Sequence, residues 1–428
     1  MVILIAIGAA WTIGRAGGHQ GERAIAVGAT PIAVAVDASA RRVFVVDAGP
    51  LDTARGFVGP SSVHILDADS GLPLRRIATD TISRQMTMGF MGGGIAVDEL
   101  TGRVFVTNAN SSTNSVSVID ACSDELVQRL DFSGGMSSIA VDERANRAVT
   151  VATRLDSLSG GTVGVLDART GSALPIPPQA WSYIMTTEPL AMDNAAGRVF
   201  LLNDNPTAPG LSVLDTRTGR LLHETWLGMS NQTSPPSRTV AVDTRSGHVF
   251  AAYMTGANVS ALSLLDAQNG HILRTISLGP VRPSASSVDE QTGRLFLATA
   301  SLTGYTGRVM IFDTATGRLL GATTVGANPV TMAVDTRRGR VYVITTGGVV
   351  VLHARSGMVL RTISMTPQPV AVAIDRMTGH AFIINAGETI YRPNTWTWMP
   401  QWLRSWLPFL PSSMHTETVP PRLSILTL

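Results

Sequence analysis

Eight aspartates along this chain, Asp37, Asp98, Asp142, Asp193, Asp243, Asp289, Asp335 and Asp375, each end an apolar run and precede a short turn. Four of the returns read Gly-Arg before an apolar pair: Gly102-Arg103, Gly197-Arg198, Gly293-Arg294 and Gly339-Arg340. Carboxylates and guanidiniums repeated in this way could form rings that bind a ligand. The competing reading is structural: each Asp caps its own turn and each Arg pairs locally. His248 and His380 stand in the Arg place after the turn glycine and share that structural reading. The other six histidines, His19, His64, His223, His271, His353 and His415, form no HExxH or close pair, and the chain contains no GxSxG. Cys122 is the only cysteine, which excludes internal disulfides, CxxC redox pairs, CxxCH haem attachment and Cys-rich zinc sites. All 33 basic residues are Arg, so a Walker A loop and Schiff-base catalysis are excluded too. No catalytic residue, metal ligand or cofactor is assigned.

The elements that position these residues follow from the spacing. Steps of 40 to 61 residues between the aspartates fall in the period range of propeller blades and solenoid units. Hydrophobic residues make up 44% and charged residues 15%, below the ~25% usual for soluble domains. Mean hydropathy is +0.21, yet no run of 18 apolar residues exists. Sheets buried on both faces explain this, because their strands read as continuous apolar runs. A net charge of +2 does not favour nucleic acid as a partner. Residues 1–21 are read apart: Met1 to Ala10 is apolar and a Gly-rich stretch follows from Gly14. That segment is either the remnant of a secretory signal or anchor, or an apolar tail.

The second repeat serves as template. Gly94 to Asp98 reads as an inner strand a, Glu99 to Gly102 as a turn, Arg103 to Asn108 as strand b, Ser115 to Asp120 as strand c and Leu126 to Phe132 as outer strand d. Pro31, Pro283, Pro329 and Pro369 each lie six residues before a repeat Asp and open strand a, where no ladder donor is needed. The last repeat supplies strand a, strand b and a late strand c (Arg422 to Leu428), and no strand d. Arg23 to Gly28 reads as that missing strand, so the N-terminus closes a ring. The fold class is all-β: a β-propeller of eight four-stranded blades over residues 22–428. Seven blades is the alternative if the third unit, with Arg147-Ala148-Val149, is irregular.

Phe105-Val106-Thr107-Asn108 followed by Val116-Ser117-Val118-Ile119-Asp120 resembles the repeat of YVTN-type, YncE-like β-propellers. The likeness covers roughly residues 22–428 apart from an insertion at 386–421. It implies the fold; relatives include surface-layer and periplasmic proteins of unknown role, and the fold is shared with lactonases and quinone-dependent dehydrogenases. The protein is expected to be exported and monomeric. Fold does not confer activity.

The a–b and c–d turns share one face of the disc, and the variable b–c and d–a loops share the other. Variable loops on a rigid ring are the usual home of binding groups. Arg84, Phe90, Trp181 and Tyr183 on that loop face are the candidate ligand site, the alternative being that they plug the channel. Trp396, Trp398, Trp402 and Trp406 lie between Tyr391 and Pro411, read as a short amphipathic helix at Pro400–Pro408. It docks as a lid, inserts at a membrane interface or grips a partner. The functional expectation is a non-catalytic binding or scaffolding module of the cell envelope for a small ligand or protein. A lactonase-like hydrolase at the channel mouth is the alternative.

Overall fold

A computed structural model describes residues 22–52, 56–57, 61–79, 94–108, 114–132, 135–153, 162–175, 190–203, 210–228, 237–255, 258–302, 306–326, 328–366, 368–393 and 414–427. Eight antiparallel blades follow one another in chain order, and their inner strands contact in sequence from the first blade round to the eighth and back. The first blade is Pro31–Asp37, Arg42–Asp47, Ser62–Asp67 and Pro73–Ala78; the second is Ile95–Asp98, Arg103–Asn108, Asn114–Asp120 and Glu125–Phe132. In the eighth blade Pro369–Ile374, Ala381–Asn385 and Arg422–Leu426 are completed by Glu22–Ala26, whose Ala24 pairs with Ser424. The N-terminal strand thus closes the ring.

The third blade departs from the four-strand pattern. Among the described residues Gly135–Asp142, Arg147–Thr153 and Thr162–Asp167 form a three-stranded sheet, followed by a bridge between Leu166 and Ala173. The insertion in the last blade rises on a two-stranded ribbon, Glu388–Pro393 with Met414–Val419. The expected helix at 400–408 lies outside the described residues.

Strand b shows why the blades stack. Its side chains alternate between two neighbours, and both sides are buried. Val43 and Val45 pack on Phe382 and Ile384 of the eighth blade, while Phe44 and Val46 pack on Val104 and Val106 of the second. Each of the eight seams has its own apolar cluster built this way. One strand-b aromatic faces each following blade: Phe44, Phe105, Phe200, Phe250, Phe296, Tyr342 and Phe382, all fully buried. The third blade has Val149 at that place. Burying such a ring contributes roughly 1.5–3 kcal/mol relative to exposure.

The repeat aspartates do cap their turns. Asp98 Oδ1 accepts the Leu100 and Thr101 amides at 3.0 and 3.1 Å, and the Gly102 amide returns to the Asp98 carbonyl at 2.9 Å. The fourth residue after Asp takes positive φ, which is why glycine recurs there. Arg41 (φ 57°) and Asn146 (φ 56°) hold that conformation in the first and third blades. In the seventh blade His353 replaces the c–d turn aspartate, its Nδ1 accepting the Ser356 amide at 3.2 Å.

The cations after the turns do more than pair locally. Arg42 Nε donates to Asp124 of the second blade at 3.1 Å, and Arg103 Nε to the Arg169 carbonyl of the third at 3.2 Å. Arg198 donates to the Ala267 and Gln268 carbonyls of the fifth blade. His248 Nδ1 donates to the Thr314 carbonyl at 2.8 Å, and His380 Nδ1 reaches the Ala68 carbonyl at 3.4 Å. In each case strand b of one blade is fastened to the c–d turn of the next.

A second link across seams is incomplete. Thr216, after the c–d aspartate of the fourth blade, donates to the buried Asp142 Oδ2 of the third at 2.7 Å. The same place holds Ala121 and Ala168 in the second and third blades, and there Asp37 Oδ2 and Asp98 Oδ2 are buried without a partner. Thr216→Val should therefore lower stability by about 1–3 kcal/mol, and Ala168→Thr should raise it by about 1 kcal/mol. Denaturant midpoints of the two variants check this; a neutral Thr216→Val would remove the link from the account.

Candidate functional site

Between the turns of the seventh, eighth, first and second blades lies a cleft of ≈ 590 Å³. It owes its depth to one turn. The first blade carries Ala38-Ser39-Ala40 where its neighbours carry Glu99-Leu100 and Arg376-Met377, so the wall drops between taller side chains. Arg41, Arg337, Arg376, Met377, Asp69 and Glu99 line the cleft. Arg376 reaches over the first blade to Glu99 at 3.0 Å, and Arg41 pairs with Asp69. Both guanidinium side chains are 66% exposed, so these pairs add little net stability.

The floor is rigid by contrast. Asp375 is buried and accepts the Met377 amide at 2.7 Å, the Thr378 amide at 3.3 Å and the Thr378 hydroxyl at 2.6 Å. Ser39 donates to the Glu99 carbonyl at 3.3 Å, and the Glu99 amide to Glu143 at 3.3 Å. Burial pushes the Glu143 carboxyl up, and the nearby charges of Asp98 and Glu99 add to it, against the Glu99 amide and Arg376.

At the far end of the first blade, Ser62, His64 and Asp47 lie together. Ser62 Oγ is 3.4 Å and Asp47 Oδ2 3.8 Å from the same ring atom, His64 Nε2. A nucleophile relay needs its two partners on opposite ring nitrogens. Asp47 is instead an anchor. Its Oδ1 accepts the amides of Ala29, Thr30 and Gly49 at 3.0, 2.7 and 3.3 Å, fixing the link from the ring-closing strand into the first blade. Gly28 sits against this carboxylate at φ +59°, where a Cβ would collide with it. The second, fourth and eighth blades have Asn at this place, and Asn108, Asn203 and Asn385 donate to Ser117, Ser212 and Ser424 at 3.0, 2.9 and 2.9 Å.

The candidate ligand residues Arg84, Phe90, Trp181 and Tyr183 lie outside the described residues, as do Trp396, Trp398, Trp402 and Trp406. The turn-face cleft was missed. Its one signal in the sequence is the Ala-Ser-Ala turn in a series of larger ones.

The fold and its turn chemistry define the class: an eight-bladed β-propeller with closure by the N-terminal strand. A family model described as outer membrane protein assembly factor BamB matches residues 60–363, and the chain belongs to that family. No curated protein sequence matches significantly. Among solved structures the chain is similar to Sqt1 of Saccharomyces cerevisiae, at 11% identity and TM-score 0.60 over 85% of this chain and 95% of that one. It is also similar to BamB from Moraxella catarrhalis, at 14% identity and TM-score 0.52 over 84% and 96% of the two chains. A Kuenenia stuttgartiensis hydrazine synthase chain matches at 12% identity and TM-score 0.52 over 85% and 94%. At these identities the likeness is one of fold.

Burial pushes the Asp47 carboxyl up, but the His64 contact and three backbone amides outweigh it and hold the group below its ordinary value. A carboxylate lowered on folding contributes stability above its unfolded pKa of ~3.9 and loses it as pH falls through the folded value. Asp47→Asn should therefore destabilise the ring at pH 7, and its difference from wild type should shrink below about pH 4. Thermal midpoints at the two pH values measure this; a difference independent of pH would show that the charge is not the source.

Proposed function

We propose that this chain is a non-catalytic binding or scaffolding propeller of the cell envelope that engages a protein partner. The observation that carries the reading is the cleft over the seam between the eighth and first blades. The turn aspartates around it are spent on their own amides, whereas Arg41, Arg337, Arg376 and Met377 are exposed and open to a second molecule. The family's description, an outer membrane protein assembly factor, supports the envelope and a protein partner. Kinship with YVTN-type, YncE-like propellers, export and monomeric state belong to the same proposal.

The loop-face residues Arg84, Phe90, Trp181 and Tyr183 form a second contact surface in this reading, with Trp396, Trp398, Trp402 and Trp406 meeting a partner or the membrane. The hydrolase alternative finds no support at Ser62, His64 and Asp47, whose contacts converge on one ring nitrogen.

Two measurements on the full chain test the proposal. A photo-crosslinking residue at Ser39 should give discrete protein adducts in envelope-bearing cells, and Ser39→Trp, which fills the cleft, should block the partner's retention by the purified chain. A panel of lactones and esters should show no turnover. Turnover abolished by His64→Ala would overturn the reading.

A further inference from the structure

Among the described residues Arg337 is the one cation of the cleft with no carboxylate partner. Its Nη1 touches the Arg376 carbonyl at 3.3 Å and the Met377 sulfur at 3.5 Å, both neutral acceptors. Among the described residues no Asp or Glu lies within ion-pair distance of it. A guanidinium presents five donors in a planar fork that matches a carboxylate, and two neutral contacts leave most of that fork unused.

The balance of accessible charge points the same way. Three Arg line the cleft against Asp69, Glu99 and Asp375, and Asp375 is buried and saturated by its own turn. The two reachable carboxylates are taken by Arg41 and Arg376, which leaves Arg337 without an ionic partner. Beside it, Met377 is 62% exposed, a soft apolar surface that adapts to different side chains. The volume is that of an ordinary small-ligand pocket.

The charges of the lining decide between ligand classes. Asp69 and Glu99 already hold Arg41 and Arg376, which leaves Arg337 as a single unpaired cation, matched by the single charge of a carboxylate rather than by the double charge of a phosphate or sulfate. An extended peptide brings a carboxylate for Arg337 and backbone N–H groups for Asp69 and Glu99. We propose that the cleft recognises an extended peptide segment of the partner through a carboxylate held by Arg337, with an adjoining apolar side chain on Met377. This rests on the binding reading above and specifies its ligand. The carboxylate is either an Asp or Glu side chain or a chain terminus.

The test selects from a degenerate peptide library against the full chain, with free and with amidated C-termini. The expected result is enrichment of Asp or Glu next to an apolar residue in the amidated set, or of free termini alone, which tells the two sources apart. The selected peptide should bind about tenfold more weakly when its carboxylate becomes an amide, and equally so to Arg337→Gln. Arg337→Lys should recover part of the loss. Arg337→Gln should leave the thermal midpoint unchanged, since the side chain is exposed. Equal binding of the amide peptide, an unchanged preference in Arg337→Gln, or displacement by millimolar inorganic phosphate would overturn the proposal. If Ser39 captures a protein while the library yields no carboxylate preference, the inference fails and the binding reading stands. If neither binds, both fail.

Discussion

The structure depends on the seam between blades. Each sheet is buried on both faces, so no blade can hide its apolar surface alone, and stability comes from contact with the blade on each side. Apolar packing is non-directional and would allow neighbouring sheets to slide. The cations at the start of strand b remove that freedom. Arg42, Arg103, Arg198, His248 and His380 each donate to the c–d turn of the following blade, so the same directional bond recurs at five of the eight seams and opposes sliding there. A ring also needs its last seam closed. Here strand Glu22–Ala26 joins the eighth sheet, and Asp47 grips the next link through three backbone amides.

Positions that seemed poised for chemistry are occupied by this work. The turn aspartates accept backbone amides, and the turn residues after them take a left-handed conformation whether they are glycine, Arg41 or Asn146. His353 shows the substitution logic most directly, since an imidazole nitrogen serves where a carboxylate oxygen serves elsewhere. A site then arises where the repeat is broken rather than where it is kept. The first blade's small turn residues lower the wall, and the cleft appears beside the closing seam.

Much of this was legible in the sequence, and the limits have physical causes. Period, strand order, the Asp-capped turns and closure by the N-terminal strand all follow from alternation and turn chemistry, which are local. The strand at Glu22–Ala26 begins one residue earlier than read, and the last strand c ends at Leu426. The irregularity of the third unit was visible in Arg147-Ala148-Val149, and among the described residues its sheet has three strands. The reach of Arg42 or Arg198 into the next blade was not legible. A staple between residues 82 or 69 positions apart in the chain depends on how sheets rotate against each other. The cleft was hidden for the same reason, because four turns distant in sequence form its walls.

The all-arginine composition acquires a structural meaning from the seams. A lysine ammonium is a compact, strongly hydrated point charge, whereas the guanidinium fork can address two acceptors at fixed angles while its stem lies on apolar surface. Arg103 uses this directly, its Nε donating to the Arg169 carbonyl of the next blade at 3.2 Å while its Nη1 pairs with Asp120 of its own blade. Arg338 does likewise at the seam beside the cleft, its Nη1 reaching Asp335 at 3.5 Å and its Nη2 the Met377 and Thr378 carbonyls at 3.3 and 2.7 Å. Neighbouring Arg337 has the same side chain and lacks a second acceptor of that quality. The repeat thus supplies the cleft with a fork of the kind that elsewhere joins blades, held here by two neutral contacts and no carboxylate.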